Sequence, residues 1–281
     1  MFWSVYTLSV IDLMSESEFM PHLPPDEIHL WFIPQRLEHD SQENEWVLQF
    51  EALLSHEEQH RYQRFQFAAD RRRFLLTRAA IRTLLSLYDS LQQPYSWQFG
   101  RNLHGRPELV PEPAHQLATL SFNISHSDGV IVIAFSAEGR VGVDIESIDI
   151  TRRSIDLAKR YFSPAEYLAL VKLPIEEQEQ RFFDLWTLKE AFVKACGAGL
   201  KIPLRWFTFL FPSAQQVTVT FQPELAESAE NWQFWQLQYN QTYRVALALT
   251  GCPGKVKKLR MFELELPATA RDLDLPIKRL G

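Results

Sequence analysis

The sequence predicts an α+β protein of two similar halves facing each other across a cleft, each half an antiparallel sheet packed with a long helix, with chance similarity between two helix-hairpin units as the alternative. Three observations lead there. Capping-box patterns recur at Ser55-His-Glu-Glu58 and Ser163-Pro-Ala-Glu166, the second with Pro at the first helical position. An Arg-Phe pair follows each capping serine by 18 residues, at Arg73-Phe74 and Arg181-Phe182, and opens a long helical apolar pattern. After each long helix the chain returns as two strand-like runs around a short polar turn.

In chain order, residues 1–26 read as an N-terminal extension: Met1–Ile11 is apolar, but it lacks a basic leader and Asp12 breaks the run. The first strand-like run, Glu27–Ile33, follows Pro24-Pro25 and opens a first half at 27–147. That half holds the Ser55 helix and then a long helix carrying Phe74, Leu75, Ala79, Ile81, Leu84 and Leu85. The His104-Gly-Arg-Pro107 turn follows, with a hairpin of Leu120–Ile124 and Val130–Phe135 about Ser127-Asp-Gly129. A second half, 148–253, repeats the order with the Ser163 helix, a long helix bearing Phe183, Trp186, Phe192 and Val193, and a hairpin of Phe234–Tyr239 and Tyr243–Leu249 about Asn240-Gln241. Residues 254–281 form a tail without a recognisable pattern.

With 281 residues and 46% hydrophobic content, the chain can bury a substantial core, and 20 Phe and 8 Trp supply bulky fillers. Ten Gly argue against a glycine-rich cofactor loop, and a formal charge of −6 argues against a nucleic-acid-binding surface, so any anion site must be local. Cys196 and Cys252 have neither metal nor redox spacing, which suits a reducing compartment. No apolar stretch reaches membrane-spanning length, and the expectation is a cytoplasmic protein without membrane partners. A doubled chain predicts a monomer, because its second half can supply what a partner subunit would.

The chemistry-bearing residues are few. Val141-Gly-Val-Asp-Ile-Glu146 reads as a strand with Asp144 and Glu146 on one face; a solvated strand face is the alternative for such a pair taken alone. In Trp186-Thr-Leu-Lys-Glu190-Ala-Phe-Val-Lys194, Glu190 and Lys194 share a helix face, and a surface ion pair is the alternative there. Three carboxylates from two elements beside a lysine suit a hard divalent cation shared with a phosphate-bearing substrate, Mg²⁺ first and Mn²⁺ second. Phe122-Asn-Ile-Ser-His-Ser127 places Ser125 and His126 at a strand end as phosphate donors; a Ser-His hydrolase is the competing reading, against which no nucleophile elbow occurs. Arg61, Arg64, Arg71–Arg73 and Arg106 gather guanidinium groups, which grip phosphate through paired donors. A non-catalytic nucleotide- or protein-binding module is the third reading.

Taken in order from about Ser55 to Pro203, these segments resemble the Sfp-type (surfactin-type) 4′-phosphopantetheinyl transferases. The matching pieces are the Ser55 helix, Gly-Arg-Pro107, Phe-Asn-Ile-Ser-His-Ser127, Gly-Val-Asp-Ile-Glu146, Phe162-Ser-Pro-Ala-Glu-Tyr167, Leu185–Lys194 and Gly197–Pro203. The resemblance implies a pseudo-twofold pair of halves with the active site in the cleft between them. It implies transfer of 4′-phosphopantetheine from coenzyme A to a serine of an apo carrier protein (acyl, peptidyl or aryl), with Mg²⁺, release of 3′,5′-ADP and no covalent enzyme intermediate. It implies Asp144, Glu146 and Glu190 as metal ligands, with Glu190 also the base toward the carrier serine, and Lys194 as catalytic and phosphate-contacting. Glu190 joins the two strand carboxylates through this resemblance and the expected cleft. Arg61, Arg73, Arg106, Ser125, His126 and Lys194 fall where the family binds coenzyme A, and Lys189 and Trp186 where it supports the helix. Glu58 departs from a position that can be basic and Phe74 from one that can be polar, so the nucleotide grip is the part where this chain differs. Tyr161–Leu173, with Tyr167, Leu168, Leu170 and Val171 near Arg152, Arg153, Lys159 and Lys172, is the candidate carrier-docking patch, with an ordinary amphipathic helix as the alternative.

Overall fold

A strand that is apolar on both sides needs cover on both sides, and the first strand is of that kind. The computed structural model describes residues 22–35, 43–89, 91–103, 105–110, 120–148, 154–197, 201–252, 254, 257–266 and 269–281. In it β1 (Glu27–Pro34) turns Ile28, Leu30 and Phe32 toward one core and Trp31 and Ile33 toward another. The helices α1 (Glu43–Glu51), α2 (His56–Gln63) and α3 (Ala68–Tyr88) follow. Ser55 closes a complete capping box with Glu58 at the start of α2. A short ribbon, β2 (Phe99–Arg101) with β3 (Pro107–Leu109), leads to β4 (Ser121–Ser127) and β5 (Val130–Ser136), joined through Asp128 and Gly129. Gly129 has φ +83°, as a tight hairpin turn requires.

β6 (Arg140–Ser147) precedes α4 (Ser154–Tyr161), α5 (Pro164–Val171), whose capping box joins Ser163 to Glu166, and α6 (Ile175–Cys196). The ribbon of β7 (Phe207–Leu210) and β8 (Thr218–Phe221) comes next, then the hairpin of β9 (Trp232–Tyr239) and β10 (Tyr243–Thr250). The chain ends in β11 (Lys258–Glu265), β12 (Thr269–Leu273) and β13 (Ile277–Leu280). Both long helices start earlier than their Arg-Phe pairs predict, at Ala68 and Ile175, because Asp70 and Glu176-Glu177 extend each helix back through an acidic first turn.

Two sheets form the centre, a five-stranded one in the order β12-β11-β1-β5-β4 and a four-stranded one in the order β13-β9-β10-β6. They face each other through Ile28, Leu30, Val132, Val143, Leu237 and Leu247. α3 covers the outer face of the first sheet with Leu76, Ala80 and Leu84, and α6 covers the outer face of the second with Phe183, Leu188 and Phe192. The layers therefore run helix, sheet, sheet, helix, and each half is a mostly antiparallel sheet with one long helix, as the repeat predicts.

Chain order and sheet membership nevertheless diverge. β6, the end of the expected 27–147 half, pairs with β10 in the second sheet. The expected tail, 254–281, returns β11 and β12 to the first sheet and β13 to the second. β11 lies parallel to β1, since it arrives from the far end of the chain and no hairpin fixes its direction. The presumed junction at 149–153, with Arg152 and Arg153, together with His104, Ala198–Leu200 and residues 1–21, lies outside the described residues.

Where β4 and β6 meet, alternate side chains of one strand accept from alternate N–H groups of the other. Ser121 Oγ accepts from Val141 N at 3.1 Å, Asn123 Oδ1 from Val143 N at 3.0 Å, Ser125 Oγ from Ile145 N at 3.4 Å and Ser127 Oγ from Ser147 N at 3.0 Å. The polar positions of Phe-Asn-Ile-Ser-His-Ser127 thus stitch the two sheets together and satisfy an otherwise open strand edge.

Candidate active site

β6 shows its Val141, Val143 and Ile145 face to the inter-sheet core, so Gly142, Asp144 and Glu146 face the other way, toward α6. Gly142 makes the approach of the helix feasible. A Cβ there would lie 2.1 Å from the Ala191 carbonyl oxygen and 2.4 Å from the Ala195 nitrogen. With bare backbone at this point, α6 settles onto the strand and carries Glu190 and Lys194 beside the two carboxylates.

The Lys194 ammonium donates to Asp144 Oδ1 at 2.7 Å and to Ser125 Oγ at 2.8 Å, and the Ser125 hydroxyl donates to the same carboxylate oxygen at 3.0 Å. Trp186 Nε1, two helical turns before Lys194, donates to Glu146 Oε1 at 3.3 Å. Asp144 is only 4% exposed, and its Oδ2 is buried without a hydrogen-bond partner. Burial, and after it the Asp144 charge, pushes the Glu190 carboxyl up to about 7, with Lys194 opposing and Glu146 adding to the rise.

This arrangement fits a hard divalent cation. An orphaned buried carboxylate oxygen costs free energy until something positive meets it, and Glu146 and Glu190 are close enough for their charges to be felt together. Among the described residues no three His, Cys, Asp or Glu side chains already surround one cation position, so the acidic set is not a closed cage.

The basic residues divide. Arg61, Arg73 and His126 line one cavity of about 340 Å³ with Phe74, Arg78 and Arg101. It shares Arg61, Phe74, Arg78 and Arg101 with a neighbouring cavity of about 730 Å³. The guanidinium groups of Arg61 and Arg78 lie 5.2 and 5.5 Å from the Phe74 ring centre, so the apolar replacement at this position is flanked by cations. Glu58 is neutralised: its Oε2 accepts from Ser55 N and lies 2.8 Å from Arg82 Nη2, and its Oε1 lies 3.3 Å from Arg78 Nε. His126 is exposed, and partial burial followed by the charges of Arg73 and Lys194 keeps its imidazole below the ordinary range.

Ser125 and His126 sit on opposite sides of β4, and the Ser125 hydroxyl is turned to Asp144, an arrangement without the serine–imidazole bond a hydrolase needs. Arg106 lies apart from the lining of the cavity that holds Arg61, Arg73 and His126, and both terminal nitrogens of its guanidinium donate to carbonyl or hydroxyl oxygens of the protein. Lys189 is fully buried, with Nζ 2.7 Å from the carbonyl oxygens of Leu204 and Phe207 and 2.8 Å from Glu166 Oε2, which is a support role. Sequence reasoning passed over Gly142, Arg78 and Arg101. A glycine two residues before Asp144 on the same strand face was the readable signal, whereas the two arginines carry none outside the packing of α2, α3 and β2.

Two family profiles match the chain: residues 38–138 match the N-terminal 4′-phosphopantetheinyl transferase family and residues 140–248 the 4′-phosphopantetheinyl transferase superfamily. The 4′-phosphopantetheinyl transferase HetI of Nostoc is 33% identical over 226 residues, covering 80% of this chain and 89% of HetI. Sfp of Bacillus subtilis is 33% identical, with 63% of this chain and 74% of Sfp covered. The L-aminoadipate-semialdehyde dehydrogenase-phosphopantetheinyl transferase of Rattus norvegicus is 28% identical, with 73% and 69% covered. With profile matches over 38–138 and 140–248 and relatives of 33% identity, the chain belongs to the 4′-phosphopantetheinyl transferase superfamily of enzymes.

Proposed function

We propose that this enzyme transfers 4′-phosphopantetheine from coenzyme A to the serine of an apo acyl, peptidyl or aryl carrier protein, with Mg²⁺ bound and 3′,5′-ADP released. The observation that carries the proposal is the Asp144 carboxylate, one oxygen held by Lys194 and Ser125 and the other buried and unpartnered beside Glu190. Asp144, Glu146 and Glu190 would hold the cation, which supplies charge neutralisation on the pyrophosphate. Arg61, Arg73 and His126 grip the phosphates of coenzyme A from the adjoining cavity, and Phe74 offers the nucleotide an apolar ring between two guanidinium groups. Glu190 takes the proton of the carrier serine as its Oγ bonds to the pantetheine-side phosphorus. The bond from that phosphorus to the leaving oxygen breaks, and Lys194 offsets the charge left on 3′,5′-ADP. Carrier contact falls to the exposed Tyr161 and Leu168, whereas Leu170 is fully buried and drops out of the expected patch.

The test is to incubate the protein with coenzyme A, Mg²⁺ and several apo carriers and to weigh the carriers. A phosphopantetheine mass gain in the wild type that disappears in Glu190→Gln and Asp144→Ala, both still folded by circular dichroism, is the expected result. No gain on any carrier, or full gain in both variants, overturns the reading.

A further inference from the structure

The last four carbonyl groups of an α-helix have no partner within it and must find one elsewhere. At the end of α6 the Gly197 N–H donates to the carbonyls of Val193 and Lys194 at 3.2 Å, and side chains of the 102–140 stretch reach the carbonyls from Lys194 to Gly197. Arg106 Nη1 donates to the carbonyls of Lys194 at 2.6 Å and Ala195 at 3.2 Å, Arg140 Nη1 to that of Cys196 at 3.5 Å, and Asn102 Nδ2 to that of Gly197 at 3.2 Å. Arg106 Nη2 reaches the other way, to the carbonyls of Phe122 on β4 at 3.0 Å and Val141 on β6 at 2.9 Å and to Ser121 Oγ at 3.4 Å. One guanidinium therefore ties the end of the helix to both strands of the stitched seam.

The turn that carries Arg106 is braced for this. Asn102 Oδ1 accepts from Arg106 N at 3.0 Å, and Asn102 N donates to the Arg106 carbonyl at 3.0 Å. Opposite it, Gly197 has φ +68°, and a Cβ there would meet Asn102 Nδ2 at 3.2 Å and Arg106 Cδ at 3.5 Å. Both sides are shaped for close contact.

We infer that Arg106 is a positioning residue, a cap on the C-terminal turn of α6 that fixes the main chain of Lys194 while the side chain of Lys194 fixes Asp144. On this reading Asn102 and Arg106 hold the helix in place, and the binding of coenzyme A phosphate is left to the cavity that Arg61, Arg73 and His126 line. Its kinetic consequence rests on the proposed transfer reaction; its structural consequence does not.

Arg106→Gln and Arg106→Lys test it, because neither side chain has the guanidinium fork whose two terminal nitrogens reach the helix end and the strands separately. Expected are a fall in kcat of about 10- to 100-fold, the range for loss of a residue that orients a ligand set, and a KM for coenzyme A within about twofold of wild type. Amide exchange measured by mass spectrometry on the metal-free protein should quicken in the peptide spanning 190–197 and stay unchanged over 182–189. Millimolar guanidinium should restore part of the kcat of Arg106→Ala. A KM for coenzyme A raised about tenfold at unchanged kcat, with exchange over 190–197 as in wild type, would make Arg106 a phosphate ligand and overturn the inference. If the Arg106 variants fail to fold, Asn102→Ala removes the bond to the Gly197 carbonyl and the Oδ1 brace on the Arg106 amide while leaving the guanidinium in place; faster exchange over 190–197 supports the cap, and wild-type exchange with wild-type kcat refutes it. Absence of carrier transfer by the wild type would defeat the functional proposal and leave the exchange comparison standing.

Discussion

His29 shows how far a residue's behaviour can depart from what its type suggests. It sits on β1 with no exposure, its Nδ1 2.8 Å from the Tyr88 hydroxyl and its Nε2 3.2 Å from Glu27 Oε2. Burial outweighs the attraction of Glu27 and holds the imidazole down to about 4, against an ordinary 6.5. The folded protein thus keeps His29 neutral while the unfolded chain protonates first as pH falls. Its contribution is present in full above pH 6.5 and is lost between 6.5 and about 4, roughly 3 kcal/mol over that window. Urea unfolding across pH 7 to 4 should show this acid loss in the wild type and a shallower loss in His29→Phe; equal slopes would refute it. Nothing in Glu27-Ile-His-Leu announces such a site, since alternation gives His29 a face but not Tyr88, which lies 59 residues on. Asp144 is the opposite case: its pairing with Glu146 on one strand face was readable from period-two geometry, and only its partners Lys194 and Ser125 needed the fold.

At the level of elements, the capping boxes, the two hairpins and the long helices were legible because each is encoded by residues within a few positions of one another. The meeting of α6 with β6 was not, because it depends on a missing atom. Gly142→Ala would put a methyl group into the Ala191 carbonyl and the Ala195 amide, which are helix backbone and cannot rotate aside. The helix must then lift from the strand and take Glu190 and Lys194 with it. A displacement of about 1 Å is enough to cost on the order of 100-fold in rate. Carrier loading by Gly142→Ala should fall by that much or more, with the circular dichroism of the native fold retained; wild-type turnover would mean that the helix does not need this approach. The same seam explains Phe-Asn-Ile-Ser-His-Ser127. Ser125 and His126 read there as phosphate donors, and the fold adds that Ser121, Asn123, Ser125 and Ser127 accept from β6, which no local pattern foretells.

Across the whole molecule the repeat gave two halves, but their boundary was invisible because strand partners are chosen by long-range packing and not by chain order. β6 crosses into the second sheet, and the 254–281 stretch supplies strands to both. Phe262 and Leu264 of β11 have no exposure and belong to the core under α3, where Phe262 stacks on Trp31 at 4.6 Å. β13 brings Arg279 to Asp184 at 2.8 Å, beneath α6. Each sheet therefore needs chain from the other side of the presumed division, and the inter-sheet core needs both sheets. Such a molecule should unfold as one unit. Calorimetry of the full chain should give a single transition whose measured enthalpy equals the van't Hoff enthalpy. A chain ending at residue 256 should lose that transition outright, because it exposes one edge of β1 and one of β9 while emptying the core under α3 of two side chains. Two separate transitions in the full chain, or a cooperative transition in the shortened one, would show that the halves fold independently and that the crossing strands only decorate them.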